Sequence, residues 1–210
     1  CYWHNSYSRI TNDVDEFLDA LIYHWDSSDE YVDIAEVCGG LGLTSRLGVR
    51  RGFKSGENFD ILFEVDLLKP NQERKLYQYF RTCRPQVAIL TPPCTALGNF
   101  SRLNKWRSPK WRSSRWKGAR IGNMCGNIAL IQLENDLDFL SENPAGSDLY
   151  YKLAVWFVVR RHPRVVKTIG EMCMAGYTDP DGIPTRKRLE FWASDARFIL
   201  SCLLYTYPSP

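Results

Sequence analysis

The sequence predicts an α/β protein built on a single doubly wound, mostly parallel β-sheet. Short apolar runs alternate with amphipathic stretches of helical period along most of the 210 residues, a pattern typical of successive βα units. Apolar residues make up 44% of the chain, enough for one domain with a real core. The last two predicted strands have no helix between them, which predicts an antiparallel hairpin at the C-terminal edge of the sheet.

Each predicted element is placed by its apolar pattern and by a capping or breaking residue. Asn12 caps a first helix over 14–25, which belongs to an N-terminal helical lead-in over residues 1–30. Further helices are predicted at 44–49, 71–82, 123–135 and 147–161. Strands are predicted at 31–37, 60–65, 86–90, 137–140, 165–169, 188–193 and 197–205. All of these elements fit one domain over residues 1–210.

A thiol stands just beyond the predicted strand 86–90. The apolar run 87–90 is followed by Thr91, Pro92, Pro93 and Cys94. The two prolines lack a backbone N–H and fix φ, so the strand stops there and the turn is stiff. Chemistry in open α/β sheets sits at the carboxyl ends of strands. Cys94 is therefore a candidate nucleophile; the alternative is a small buried cysteine after an ordinary proline turn.

A glycine-rich turn follows the predicted strand 31–37. Gly39, Gly40 and Gly42 lie between this strand and the helix 44–49, where glycines let the backbone approach a ligand closely. The strand 60–65 then brings Glu64 and Asp66, and an acid at the end of a second strand suits the hydroxyls of a ribose. The two features together predict a site for a nucleoside-containing cofactor. The alternative is a turn that only packs the helix on the strand.

Two further segments carry polar groups at the ends of predicted strands. Glu142 follows the apolar run 137–140 and precedes a turn that ends at Pro144. Arg186 and Arg188 belong to a basic turn ahead of the strand 188–193. The alternatives are a surface glutamate and a solvated basic turn.

Charge is unevenly distributed along the chain, although the net charge is only +3. Residues 74–133 contain 12 Lys and Arg and no Asp or Glu, which is typical of a surface that faces a polyanion. Within this segment we predict a loop over residues 102–122, because tryptophan recurs every five residues among basic residues without apolar periodicity.

This loop has the composition of a nucleic-acid-binding surface. Tryptophan stacks on exposed bases, and Lys and Arg neutralise phosphates. The residues expected to bind nucleic acid are Arg102, Lys105, Trp106, Arg107, Lys110, Trp111, Arg112, Arg115, Trp116 and Lys117. The alternative is a loop whose tryptophans tuck onto the domain.

The cysteine and histidine content predicts neither a metal site nor a disulfide framework. The seven cysteines form no Cys-x-x-Cys pair, and the three histidines provide no zinc spacing. Free thiols are typical of a reducing compartment, here the nucleus or the cytoplasm. No run reaches the ~18 apolar residues of a membrane helix, so we expect no membrane association. The sequence does not indicate an oligomeric state.

Taken in order, these segments resemble the DNA cytosine-5 methyltransferase family over roughly residues 33–192. That family has a glycine turn for S-adenosyl-L-methionine, an acid after the second strand, a Pro-Cys nucleophile, a Glu-Asn strand end and a basic turn. The resemblance implies a Rossmann-like sheet of the S-adenosylmethionine methyltransferase type. The order of the segments and the Pro-Cys pair also look like methyltransferase-like segments of some retroelement polyproteins.

The resemblance implies a role for each candidate residue. The Cys94 thiolate would add to C6 of a cytosine lifted out of its stack, so that C5 could attack the methyl sulfonium. Glu142 would bind the N3 and amino edge of the base and supply a proton, and Arg186 or Arg188 would hold the base oxygen. The implied partner is nucleic acid, with DNA favoured over RNA. The implied cofactor-binding residues are Glu36, Gly39, Gly40, Gly42, Glu64, Asp66 and Pro92.

Three departures from the family pattern support a different function. Val37 stands where the family has a glycine, and the strand whose aspartate contacts the adenine is missing between Asp66 and Cys94. Only 22 residues follow Arg188, too few for a separate target-recognition domain. The alternative is a nucleic-acid-binding domain that keeps the fold without the activity, as in a mobile-element polyprotein. An amino-group methyltransferase is disfavoured, because Thr91 and Cys94 replace the polar and aromatic residues of its Asp/Asn-Pro-Pro-aromatic motif.

Overall fold

A mixed sheet of six strands organises the part of the chain that the computed structural model describes, residues 32–99, 101, 109–171, 178–184 and 186–197. The strands are β1 Ile34–Val37, β2 Ser55–Phe59, β3 Val87–Leu90, β4 Asp138–Pro144, β5 Val166–Glu171 and β6 Arg188–Ala193. The α-helices are α1 Leu43–Arg50, α2 Pro70–Thr82, α3 Pro109–Glu134, α4 Asp148–Lys152 and α5 Ala154–Val159. A short 3₁₀ helix, Ile61–Phe63, follows β2. The predicted helix 14–25 lies outside the described residues.

The strands are ordered β2-β1-β3-β4-β6-β5 across the sheet. The first four are parallel to their neighbours, whereas β6 lies antiparallel between β4 and β5. The alternation of helices with a mostly parallel sheet confirms the predicted α/β class. The chain moves outward from β1 to β2 and then returns to place β3 on the other side of β1, so the strand order reverses between β1 and β3.

The antiparallel pair at the C-terminal edge of the sheet is confirmed, but its members differ from the predicted ones. The strand 188–193 pairs with β5 and β4 rather than with 197–205. Residue 197 is helical, and 198–205 lie outside the described residues. Both faces of β6 are covered, because Phe191 and Ala193 pack on one side while Glu190 and Trp192 are buried on the other. Such a strand fits the interior of a sheet.

The core lies on both faces of the sheet, and all residues of β1 and β3 are buried. Continuous apolar runs are expected for parallel strands covered on both faces. On one face, side chains of β1, β3 and β4 pack against α2, α3 and α5, with Phe80, Ile128 and Trp156 at the centre. On the other face, Ile34 and Ile89 pack against Phe53.

The second strand was predicted five residues too late. The structure places β2 at Ser55–Phe59, and the apolar Ile61, Leu62 and Phe63 form the 3₁₀ helix instead. Among the described strands β2 has only β1 as a neighbour, so its sequence Ser-Gly-Glu-Asn-Phe needs little apolar surface. Ile61 and Leu62 are 65% and 62% exposed. An apolar run therefore did not mark a buried strand here.

The predicted loop 102–122 is wrong from residue 109 onward, because residues 109–134 form the single helix α3, which absorbs the predicted helix 123–135. Residues 102–108 lie outside the described residues. The first half of α3 packs through Gly118 and Gly122, which let Leu97 and Leu149 approach the helix backbone. Trp111 and Arg115 complete that face as partly buried residues. Such a face carries no apolar periodicity, and sequence patterns therefore miss it.

The remaining elements are close to their predicted positions. The predicted strand 137–140 extends to Pro144, so Glu142 lies within β4 rather than after it. The predicted helix 147–161 is divided into α4 and α5 at Leu153, whose extended backbone (φ −91°, ψ 127°) interrupts the helical turns. In the described part of the chain, no helix combines the length and the apolar character needed to cross a membrane.

Candidate functional site

The turn that carries Cys94 is tied to the turn that follows β1. The Thr91 amide donates to the Val37 carbonyl (3.1 Å), and the Thr91 hydroxyl donates to the Cys38 carbonyl (2.7 Å). These bonds join the carboxyl ends of β1 and β3, where the strand order reverses. Ligands of open α/β sheets bind at such a reversal. The Cys94 thiol is free and half-buried there.

The segment after Cys94 is held by residues from distant parts of the chain. The amides of Leu97 and Gly98 donate to the Cys94 carbonyl at 3.1 and 2.7 Å. The Leu97 carbonyl in turn accepts from the Ser147 hydroxyl (3.1 Å) and the Asp148 amide (2.7 Å), at the start of α4. Cys94 therefore lies on a turn fixed by β1 on one side and by α4 on the other.

Glu142 presents a carboxyl group that the protein leaves poorly satisfied. One oxygen, Oε1, is buried and has no hydrogen-bond partner among the described residues. Burial raises the pKa of the Glu142 carboxyl, and the positive charge of Lys187 opposes this only in part. Perturbed titratable groups with unmet hydrogen-bonding capacity are common at functional sites.

Asn143 connects the strand ends that carry Glu142 and Cys94. Its side-chain amide donates to the Pro92 carbonyl at 2.8 Å in a fully buried position. β3 and β4 are adjacent parallel strands, with Leu90 in register with Ser141. The structure thus brings the Cys94 turn and Glu142 together at the carboxyl ends of two adjacent parallel strands. Pro92 is buried between these strand ends and holds them together.

The two arginines of the basic turn pair with Glu171 of β5. Arg186 forms an ion pair with Glu171 (Nε–Oε2 3.3 Å), and Arg188 approaches the same carboxylate at 3.8 Å. Both side chains are largely exposed at the β5–β6 edge of the sheet. The cation that acts electrostatically on Glu142 is Lys187, which lies between them.

The glycine turn is held from inside by Glu36 and from the side by β2. The Glu36 carboxylate, 2% exposed, accepts from the Ser45 amide at 2.7 Å at the start of α1. The amides of Gly39 and Gly40 donate to side chains at the end of β2, at 3.3 Å to Asn58 and 3.0 Å to Asp60. Gly40 has a positive φ of 56°, and the position of its missing Cβ is open. Its outer side is therefore accessible to a ligand.

The acid that directly follows β2 is Asp60, whereas the sequence predicts Glu64 and Asp66 for this role. Asp60 accepts from the Gly40 and Leu62 amides, so its carboxylate lies beside the glycine turn. Glu64 instead ends the exposed 3₁₀ helix with a positive φ of 62°. Asp66 accepts from the Leu68 amide (3.0 Å) and shapes the turn before α2. The apolar run Ile61–Phe63 predicts a strand that ends near Glu64, and for this reason the sequence points to Glu64 rather than to Asp60.

The inner side of α3 uses part of the expected nucleic-acid-binding set for internal contacts. Arg115 pairs with the Asp148 carboxylate (2.8 Å) and donates to the Ala96 carbonyl (3.1 Å), two residues beyond Cys94. Its guanidinium also lies over the Trp111 ring, 5.3 Å from the centroid. These contacts place the first half of α3 directly against the Cys94 turn.

The outer side of α3 carries the rest of the described set. Lys110, Arg112 and Lys117 are exposed and make no ion pair with any described residue. Trp116 is 58% exposed. Arg102, Lys105, Trp106 and Arg107 lie outside the described residues. The described cations of α3 therefore divide into an internal group and a surface group.

Neither a protein-family model nor a curated protein sequence matches this chain. Over the described ranges, no group of three or more His, Cys, Asp or Glu side chains is arranged to hold a metal ion.

Proposed function

We propose that this protein is an S-adenosylmethionine-dependent methyltransferase that acts on C5 of cytosine in nucleic acid through a transient Cys94 adduct. The observation that carries the proposal is the placement of a free, half-buried thiol and a poorly satisfied carboxyl group on adjacent strand ends. The fold supports it, because the Cys94 turn follows β3, where the strand order reverses, and Glu142 lies on the adjacent strand β4.

Cys94 supplies the covalent step. The thiolate sulfur forms a bond to C6 of the pyrimidine, and the electron pair of the C5–C6 double bond moves onto C5. After C5 has been methylated, its proton passes to a solvent water, the electron pair of the C5–H bond restores the C5–C6 double bond, and the thiolate leaves C6. The stiff Pro92-Pro93 turn, bonded to the end of β1 through Thr91 and to β4 through Asn143, holds the sulfur in place during this sequence.

Glu142 supplies the proton. A carboxyl group with a raised pKa keeps its proton closer to neutral pH than an ordinary glutamate does. It donates that proton to N3 as the sulfur adds to C6, which neutralises the charge that develops on the ring. It takes the proton back when the thiolate leaves, so the enzyme ends in its starting state.

The glycine turn fits the cofactor. Gly40 leaves an open surface, and Asp60 places a carboxylate beside it that would accept from ribose hydroxyls. Thr91 connects this turn to the Cys94 turn. S-adenosylmethionine supplies the electrophilic methyl group when it is bound.

The test is covalent trapping on an oligonucleotide that contains 5-fluorocytosine, in the presence of S-adenosylmethionine. Fluorine cannot leave C5 as a proton does, so the adduct accumulates. We expect the parent protein to be trapped and Cys94→Ser to lose trapping while it keeps its nucleic-acid affinity. Cys83→Ser, which removes an exposed free thiol at the end of α2, is the matched control and should be trapped like the parent. Equal trapping of the Cys94→Ser variant would exclude Cys94 as the nucleophile.

A second candidate, a nucleic-acid-binding domain without methyltransferase activity, is favoured by two specific observations. The Gly39 and Gly40 amides are already used by Asn58 and Asp60, and Arg186 and Arg188 both face Glu171. Titration calorimetry with S-adenosylmethionine separates the two functions. Binding of the cofactor favours the methyltransferase; nucleic-acid affinity without cofactor binding and without trapping favours the second candidate.

A further inference from the structure

Trp116 and Arg120 form a cation–π pair on the surface of α3. The Arg120 guanidinium lies over the indole ring, 5.6 Å from its centroid, and is held there by an ion pair with Glu73 of α2 (2.7 Å). Trp116 nevertheless remains 58% exposed. The indole is therefore supported by a fixed cation and still offers a large open surface.

The same arrangement occurs five residues earlier, but there the tryptophan is partly buried. Arg115 covers Trp111 at 5.3 Å, and Arg115 is fixed by Asp148 and the Ala96 carbonyl. The Trp111 indole nitrogen is buried without a partner among the described residues. Trp111 is thus partly buried with its indole nitrogen enclosed, whereas Trp116 is the more exposed tryptophan of α3.

Unpaired cations surround Trp116. Arg112 precedes it by four residues and therefore lies on the same face of the helix, and Lys117 is adjacent. Both are exposed and make no ion pair with the described residues. The neighbouring Arg115 reaches the carbonyl of Ala96 from the inner side of the same helix, two residues beyond Cys94. The whole segment 74–133 has no acidic residue to repel an anion.

We propose that Trp116 is a stacking platform for an unpaired base of single-stranded nucleic acid, with Arg112 and Lys117 on the adjacent phosphates. An indole face stacks on any base, but only where the base is not already covered by its neighbours in a duplex. Arg120 holds the ring in place, so little side-chain freedom is lost on binding. The proposal rests on the proposed function only for the class of partner.

The experiment measures fluorescence anisotropy without cofactor, on deoxyuridine and uridine oligonucleotides about 12 nucleotides long and on a duplex of the same length. We expect Trp116→Ala to weaken single-strand binding roughly 5- to 150-fold, with an unchanged salt slope because stacking releases no counterions. Trp116→Phe should recover most of the affinity. Duplex binding should change less than about 2-fold, because paired bases hide their faces. The two single strands report whether the 2′-hydroxyl contributes.

Phe157→Ala is the matched control. Phe157 is an exposed aromatic residue of α5 with the Arg161 guanidinium over its ring at 3.8 Å. Equal losses for Trp116→Ala and Phe157→Ala, or equal losses on single strand and duplex, would overturn the proposal. Covalent trapping at Cys94 with an unaffected Trp116→Ala variant would reject the platform alone. A selective loss without trapping would reject the methyltransferase alone.

Discussion

Glu142 and Glu190 show how two carboxyl groups on adjacent strands acquire different chemistry. Glu190 is nearly as buried as a core residue, yet its carboxylate accepts from the Gly146 amide (2.9 Å), the Tyr151 hydroxyl (2.8 Å) and the Trp192 indole (2.7 Å). Burial alone would raise the pKa of Glu190, but these hydrogen bonds outweigh it and lower the pKa. Glu142 has no comparable donors among the described residues, so burial raises its pKa. Only Glu142 has capacity left for a ligand.

The pH dependence of stability should distinguish the two groups. With a raised pKa, folded Glu142 keeps a proton that the unfolded chain releases above pH about 4.5, so its contribution falls as the pH rises through the raised value. We expect Glu142→Gln to gain stability relative to the parent across that window. Glu190 contributes above its ordinary pKa and loses this as the pH falls through its lowered value, so Glu190→Gln should be less stable at neutral pH.

The measurement is the free energy of unfolding in urea at a series of pH values. Parallel pH profiles for the parent and Glu142→Gln would contradict a raised pKa of Glu142 in the folded protein.

The acid beside the glycine turn can be identified by cofactor binding. We expect Asp60→Ala to weaken S-adenosylmethionine binding by about 1.5–3 kcal/mol, because a charged acceptor of ribose hydroxyls is lost. Glu64→Ala is the matched control, and its exposed side chain at the end of the 3₁₀ helix predicts a smaller change. Titration calorimetry measures both. A loss of cofactor affinity in Glu64→Ala alone would show that Glu64, the acid expected from the sequence, binds the ribose.

At the scale of elements, α3 shows how a helix can be buried without an apolar stripe in its first half. Its contacts there are made by glycine positions and by the Arg115–Asp148 pair. Further along, Gly126 lies against Val155 of α5, and the Trp156 indole donates to the Gly122 carbonyl at 2.9 Å. The close approach of α5 to α3 depends on these small residues.

Gly126→Ala tests that close approach. A Cβ at Gly126 would lie 2.4 Å from Val155 Cγ1, and a β-branched side chain has little freedom to move away. We expect a net loss of stability of about 1–3 kcal/mol, although alanine favours a helix over glycine by about 1 kcal/mol. Asn123→Ala, at an exposed position of the same helix, should be neutral or slightly stabilising. Thermal and urea unfolding report both changes. A Gly126→Ala variant as stable as the parent would show that α5 can shift.

For the whole molecule, positive charge is distributed over surfaces with different surroundings. On α3, Lys110, Arg112 and Lys117 are exposed on the outer side of the helix. On α1, Arg46 and Arg50 line a groove of about 560 Å³ at the β2 edge of the sheet. Both groups are unpaired with respect to the described residues. Net charge alone therefore does not say which surface meets a polyanion.

The salt dependence of nucleic-acid binding should identify that surface. Three phosphate contacts give a slope of log affinity against log salt of roughly −2 to −3. We expect the double replacement of Arg112 and Lys117 by alanine to make the slope shallower by about one to two units on any probe sequence. The same replacement of Arg46 and Arg50 is the control and should leave the slope unchanged. An equal effect of both pairs would indicate unspecific attraction to the whole protein.

The sequence by itself determined the features that depend on local chemistry. Apolar runs buried on both faces marked β1 and β3, and the alternation with helices predicted the α/β class. The stop at Pro92 and the position of Glu142 near the end of β4 were also readable, because proline and a strand's end act within a few residues. These local signals sufficed to select Cys94 and Glu142 for one edge of the sheet.

The tertiary structure alone decided which polar residues remain free to act. The place of β2 at the edge of the described sheet explains its polar sequence, and the insertion of β6 between β4 and β5 required both partners. Arg115 and Arg120 are basic in sequence like Arg112, but Asp148 and Glu73 pair with the first two across 33 and 47 residues. Asp60 likewise lies beside the glycine turn through a contact with Gly40, a residue distant in sequence. The energy of a charged side chain depends on its neighbours in space, and local sequence patterns do not contain those neighbours.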